Sequence, residues 1–583
     1  MTGLRPGLLL AVGVMAWAGP VCGQEQKTTE TKLGPLSEDV SYVYTARTPD
    51  GWRMAMQRRV EDKVVMVTDG TSGPEYDAIK HPRYNGILMF SNDCRRFGYV
   101  AVKDNRQVLV VDGKPTPPYY SLNWLFSPDG KRVAYSARVA PGEPEFVVAD
   151  GKRGPDYDYV GRLIFSPDSR HLAYQTRKGK MDYVVLEGKA AQAYDCWAWP
   201  FFSPDSQHLA WMSAGGNGGR MSVGPSGPRP EGLYAVVDGT PVFKGLHVWL
   251  KNPTFNPVGG RLACEASRDQ ERFIAVDGKL GPAFDEIGHA GPVFSADGKH
   301  VGYSARRGKK WMVVIDGNVG PGYDEVWGPV FSPDGTRYAY TTRRGKTRLT
   351  IIDGRPAADA DGMPLFSPNG KHLVYRARKD GGVCVVYDGK PGPVYGGVLT
   401  RTPLFSPDGS RYAYAANSKQ SRKWSVVVDG KSDSEFDRIV EHTLVFSPDG
   451  TRYAYLARTA GKSVVVVDGK QGAPFERWKR RPERNIVNDA RTKYPVPNGK
   501  GEFAVIDCQL GHRRWRIIRG KPFFSPDGRH VAYIIGKEGK PCVVKDGRPG
   551  RVYDDILCLP IFLKDGRVDY IAMMGRDLYH VRQ

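Results

Sequence analysis

The sequence predicts an all-β chain made of one four-stranded unit copied many times, and three observations predict it. The turn Phe-Ser-Pro-Asp-Gly recurs along the chain, as at Phe331 to Gly335. Each such turn is followed by two short runs rich in β-formers, the second closing on Asp-Gly, as at Asp353-Gly354. From Phe90 onward the phenylalanines that anchor these turns are spaced mostly 35 to 41 residues apart.

Each element follows from local chemistry. In the anchor turn, Pro pre-sets one dihedral, Asp bonds its own backbone and Gly tolerates positive φ. The next run alternates bulky with small residues, as in Val133-Ala134-Tyr135-Ser136-Ala137, which is a period-two strand signal. A turn bearing Gly and Lys, such as Arg344-Gly345-Lys346, leads to the second run, Leu349 to Ile352. Asp-Gly after a strand is a strong hairpin signal. Between copies lies a stretch such as Tyr323-Asp324-Glu325-Val326, which runs into Gly328-Pro329-Val330-Phe331. One copy therefore holds about four strands in about 40 residues, the content of a β-propeller blade.

The N-terminus carries Arg5, an apolar run from Leu8 to Ala18 and small residues at Val21-Cys22-Gly23. The run is too short to span a bilayer and has the layout of a secretory signal peptide, so residues 1–23 are read as one. Cys22 raises lipid anchoring as the weaker alternative, because Gly19-Pro20-Val21 matches the usual lead poorly. No later stretch is apolar enough to cross a membrane. The mature protein is expected to be exported, periplasmic or extracellular. Residues 24–35 are polar and read as a flexible leader. Its Lys32-Leu33-Gly34-Pro35 echoes Lys279-Leu280-Gly281-Pro282 and is a candidate edge strand for another copy.

Anchors fall at Leu36, Phe90, Phe126, Phe165, Phe202, Phe255, Phe294, Phe331, Phe366, Phe405, Phe446, Phe524 and Phe562. The surplus before Phe255 is a Gly/Pro/Ser loop from Gly215 to Gly232. The gap of 78 residues before Phe524 is about twice the period, so a degenerate copy belongs there, with Val505-Ile506-Asp507-Cys508 in place of Val-Val-Asp-Gly. Two aromatic series keep step with the anchors, one represented by Tyr99, Tyr135 and Tyr174, the other by Tyr76, Tyr157 and Phe284. Such regularity is packing periodicity. The expectation is tandem β-propellers of about fourteen four-stranded blades. Rings usually hold roughly four to eight blades, so the simplest division is two seven-bladed rings, 36–328 and 329–583, with six plus eight as runner-up. Strand exchange between the termini would close a ring.

The Phe-Ser-Pro-Asp-Gly…Ala-Tyr pattern resembles the TolB-like propeller repeats, the Pro-Asp relatives of WD repeats, over nearly all of residues 36–583. The resemblance implies a propeller and is nearly silent on function. The family's periplasmic namesake also carries an α/β domain. None is visible here, so its role does not carry over.

Lys and Arg number 84 and Asp and Glu 63, a net charge of +21. In a propeller the anchor turn and the Asp-Gly turn share one face. The other face receives the turn after the second strand, and that turn is repeatedly basic: Arg177, Lys178 and Lys180; Arg306, Arg307, Lys309 and Lys310; Arg343, Arg344 and Lys346; Arg378 and Lys379. These twelve residues are the candidate binding face for an anionic partner. The plainer reading is solvated turn chemistry, with several Arg stacked on the repeating aromatics. A further basic run, Arg477-Trp478-Lys479-Arg480-Arg481, lies in the degenerate copy. An exported protein rarely meets nucleic acid and no reading motif is present, so none is expected.

Seven cysteines remain after Cys22, an odd and scattered set rather than a disulfide framework. Cys542 and Cys558 are placed on adjacent strands of one blade, as buried thiols more than as a bridge. There is no Gly-x-Ser-x-Gly elbow, no His-Glu-x-x-His helix, no P-loop and no dinucleotide fingerprint. The 11 histidines show no ligand spacing. The repeated Asp at positions such as Asp77, Asp158, Asp195, Asp285, Asp324, Asp437 and Asp554 reads as a strand-end bond before it reads as a cation ring. No catalytic residue, metal site or cofactor is assigned. The leading function is an exported binding or scaffold protein holding another envelope or extracellular protein or an anionic glycan. The alternatives are a propeller enzyme acting on glycans, a hydrolase or lyase, for which no unique carboxylate pair stands out, and a structural repeat protein with no specific small ligand.

Overall fold

The computed structural model describes residues 14–16, 28–35, 40–48, 51–68, 70–80, 89–179, 181–190, 195–196, 200–214, 233–242, 249–268, 270–359, 362–475, 491–495, 502–507, 521–537, 539–575 and 577–583. These residues form strands and turns, without a helix among them. The strands make thirteen sheets. The sheets are the blades of a propeller ring, numbered 1 to 13 from residues 40–76, 78–115, 121–157, 159–190, 195–242, 249–280, 286–319, 325–359, 365–395, 397–432, 438–471, 523–552 and 555–582.

Within a blade the strands run up and down as antiparallel neighbours. Val133–Arg138 pairs with Ser121–Phe126 on one side and Glu145–Ala149 on the other. The Asp-Gly turns have the geometry their sequence asks for, with φ of 49° at Asp316 and 82° at Gly317. Two consecutive positive φ values make a turn whose twist matches the flanking strands.

Between blades the core is a series of apolar layers, each shared by two neighbours. Both aromatic series meet in these layers. Tyr76 meets Tyr99 edge-on at 6.4 Å, and Phe284 meets Tyr303, Phe436 meets Tyr455 and Tyr553 meets Tyr570 in the same way. Such pairs contribute about 0.5–1.5 kcal/mol beyond the area they bury. The succession is continuous through the boundary expected near Gly328, where Val313 and Tyr323 of blade 7 pack on Tyr340 and Ile351 of blade 8. It also runs from the last blade to the first, where Met54, Met56, Val65 and Val67 pack with Tyr570, Ile571 and Leu578.

The leader closes the ring. Thr29–Pro35 is a strand, antiparallel to Asp577–Arg582 on the outer side of blade 13. Glu30 is fixed there by Arg551 at 2.5 Å and by the Tyr553 hydroxyl at 2.5 Å. The edge strand read into this leader is therefore present, and its host is the C-terminal blade. Val14–Ala16 pairs with its outer edge.

Thirteen sheets stand where about fourteen copies were counted. Among the described residues the degenerate copy makes no sheet of its own. Its strands Arg491–Pro495 and Glu502–Asp507 extend blade 1, with Glu502–Asp507 parallel to Val40–Thr48. The copy lacks both the anchor turn and the Asp-Gly turn that organise most other blades. Cys542 and Cys558 do not share a blade, contrary to expectation: both are buried and form no disulfide, and they belong to blades 12 and 13. Leu36, the loop 215–232 and the basic run 477–481 lie outside the described residues, as does the rest of the N-terminal apolar segment.

Candidate functional site

The basic hairpins connect the second and third strands, at the opposite end of their blade from the anchor turn and the Asp-Gly turn. On the opposite face the anchor turn meets the Asp-Gly turn. Ser127 donates to Asp129 at 2.6 Å, and Arg132 donates through Nε to Asp150 at 2.8 Å. Arg132 also reaches the Arg170 carbonyl of the next blade and stacks on that blade's Phe165. This link repeats. The residue six past the anchor is Arg96, Arg132, Arg261, Arg337, Arg411 or Arg452 in some blades and His208, His300, His372 or His530 in others. Each bonds the Asp of the Asp-Gly turn, at 2.7 Å for Arg96 and 2.6 Å for His300. Those four histidines are thus members of a structural series. The spacing was legible in the sequence, but only when His and Arg are scored as one class.

On the hairpin face most of the candidate cations have partners. Arg177 donates to Asp182 at 2.7 Å, which raises its already high pKa. Arg306 bonds Glu286 at 3.0 Å, and Arg343 pairs with Glu325. Arg307 lies over Phe284 at 5.0 Å and Arg344 over Tyr323 at 5.7 Å. Stacking of arginines on the repeating aromatics is therefore found. Lys310 bonds Asp324 of the next blade at 2.7 Å. Arg378 is exposed at a strand end. Lys180 lies outside the described residues.

The repeated Asp supplies the counter-charge. Asp158, Asp285, Asp324 and Asp554 each accept the backbone N–H of the glycine in their hairpin tip, Gly179, Gly308, Gly345 and Gly575, all at 2.6 Å. Asp437 accepts from Ala460 and Asp77 from Asp104. Lys63, Lys310 and Lys540 of the preceding blades hold Asp77, Asp324 and Asp554 below the usual carboxylate range. The strand-end bond is what the recurrence of this Asp predicted. The side chain of Asp195 lies outside the described residues.

What remains is a smaller set. Lys178, Lys309, Lys346 and Lys379 are exposed at hairpin tips and make no ion pair among the described residues. Lys309, Lys346 and Lys379 sit on blades 7, 8 and 9, one after another around the ring. No group of three His, Cys, Asp or Glu side chains placed to hold a metal occurs among the described residues. No helix there is long and apolar enough to cross a membrane.

No protein-family model and no curated protein matches this chain. Solved structures do, β-propeller domains among them. TolB from Acinetobacter baumannii is 12% identical over 58% of this chain and 79% of its own, with a TM-score of 0.20. The β-propeller domain of the Trilobed protease from Pyrococcus furiosus is 11% identical over 54% and 94%, with a TM-score of 0.24. A eukaryotic initiation factor is 15% identical over 66% and 96%, with a TM-score of 0.26. Likeness this distant says nothing about what the chain binds.

Proposed function

We propose that the chain is an exported binding protein whose hairpin face holds an anionic glycan. The observation that carries this reading is the set of unpaired lysines at the hairpin tips, three of them on consecutive blades. A row of point charges about one blade apart suits a polymer with repeating anionic groups better than a single small anion. Ammonium groups bind such groups without demanding one geometry. Export is read from the apolar segment before residue 23.

The test is affinity for dextran sulfate against neutral dextran, over a range of salt. The protein is expected to bind the charged polymer, more weakly as salt rises. The variant carrying Lys178→Ser, Lys309→Ser, Lys346→Ser and Lys379→Ser is expected to lose at least about tenfold in affinity while keeping its fold. Equal affinity of this variant and the wild type overturns the reading.

A further inference from the structure

Proline stands two residues before the anchor phenylalanine in eight blades: Pro200, Pro253, Pro292, Pro329, Pro364, Pro403, Pro522 and Pro560. This position is on the first strand of the blade or at its start. The first strand forms one edge of its sheet in every blade but the first, and first strands approach one another between blades 3 and 4 and between blades 7 and 8. Proline has no N–H and interrupts an edge ladder, so it keeps a free edge from recruiting another strand. First strands are irregular in most blades, with or without this proline. In blades 7, 10, 11 and 13 the first strand is broken into pieces such as Glu286–Ile287 and Val293–Phe294, and in blades 4, 6 and 8 its register shifts near this position.

Blade 3 is built differently. Trp124 occupies the proline position. Its first strand, Ser121–Phe126, pairs with Val133–Arg138 at six consecutive positions without a shift. Its other edge carries no strand among the described residues. The mouth of this edge is flanked by the two half-exposed tyrosines Tyr120 and Tyr159, 51% and 50% accessible. The Arg138 guanidinium donates to the Asp158 carbonyl at 3.2 Å and to Glu145 at 3.0 Å, while the Arg138 carbonyl accepts from Tyr120 N–H. Blade 1 shows what such an edge does in this ring. Its proline-free first strand, Val40–Thr48, already carries Glu502–Asp507 as an added parallel strand.

We propose that the free edge of Ser121–Phe126 is a docking site for an extended peptide segment of a partner protein, which adds as a strand inside the ring opening. Main-chain hydrogen bonds supply most of the affinity in this mode and side-chain pockets the selectivity. Tyr120 and Tyr159 offer rigid, half-exposed rings to the side chains of the incoming strand. A glycan has no amide ladder to offer this edge.

The test uses the full chain and a panel of labelled extended hexapeptides, led by one with the sequence of Glu502–Asp507. Binding is followed by fluorescence anisotropy and the site by amide hydrogen exchange. Saturable binding is expected, with new protection at Ser121–Phe126. Peptides N-methylated on alternate amides, with side chains unchanged, are expected to bind at least about tenfold more weakly. Trp124→Pro, which restores the residue of eight sister blades, is expected to abolish binding in protein whose circular dichroism is native. Should that variant fail to fold, the N-methylated peptides still decide. The proposal is overturned if no peptide binds, if N-methylation has no effect, if protection falls on Val40–Thr48 instead, or if the Ser121–Phe126 edge is already protected without peptide.

Discussion

The guanidinium of Arg132 lies 5.1 Å from the ring centroid of Phe165, one blade further on, while its Nε is held 2.8 Å from Asp150 of its own blade. One side chain thus ties the two turns of a blade together and clamps that blade to the next. Replacing Arg132 with Ala removes a charge-assisted carbonyl bond and a cation–π contact. The expected loss is about 1–3 kcal/mol, read as a lower denaturant midpoint. A change within about 0.5 kcal/mol, typical of ordinary surface substitutions, would contradict this role.

Because Arg and His alternate in this position, His300→Arg is an accepted substitution. Arg261 shows the longer side chain bonding Asp277 at 2.8 Å and stacking on Phe294 at 5.6 Å. Its charge is permanent. The variant is expected to melt no lower than wild type at pH 8, whereas His300→Leu, which removes the imidazole partner of Asp316, melts lower. Scanning calorimetry of the two variants checks this.

The anchor turns make the ring acid-labile. Asp129, Asp168, Asp297, Asp334, Asp449 and Asp527 are held below the ordinary 3.8 chiefly by the serine hydroxyl two residues earlier, and Asp408 down to about 2 by Ser406. A depressed folded pKa gives stability that is fully present above the unfolded value and lost as pH falls through the folded one. The melting temperature is therefore expected to drop between about pH 4 and pH 2. Blade 9 already uses Asn369 in this turn, accepting from Ser367 at 2.7 Å. Asp408→Asn is thus expected to fold and to make the acid limb shallower. A melting temperature that holds to pH 2 would refute the linkage.

Much of this was legible in the sequence. The turns, the aromatic series and the two faces follow from patterns within one copy. The number of blades does not, because a copy without its turns keeps strand-forming residues yet is annexed by blade 1 through pairing across more than 400 positions. The pairing of the basic residues is hidden for a related reason. Its cations and the Asp residues that offset them are separated in sequence by a strand or by a whole blade, as with Lys310 and Asp324. Only the folded arrangement shows which lysines are left over.

Close approach, too, is invisible to a linear reading. A Cβ on Gly98 would lie 2.5 Å from the Trp124 ring. Gly98→Ala is expected to cost about 1–3 kcal/mol by overpacking. Pairing it with Trp124→Leu should recover part of that loss. Additive losses in the double variant would show that the two positions do not touch.

The closure of the ring by its own ends is tested most directly by a disulfide. Lys32 and Tyr579 are register partners on the closing strand and the last strand. In the variant Lys32→Cys with Tyr579→Cys, mild oxidation is expected to give an intramolecular bridge between these two cysteines, identified by peptide mass mapping, in monomeric protein of native circular dichroism. Free thiols at both positions after oxidation, or bridges formed only between molecules, would contradict the closed ring.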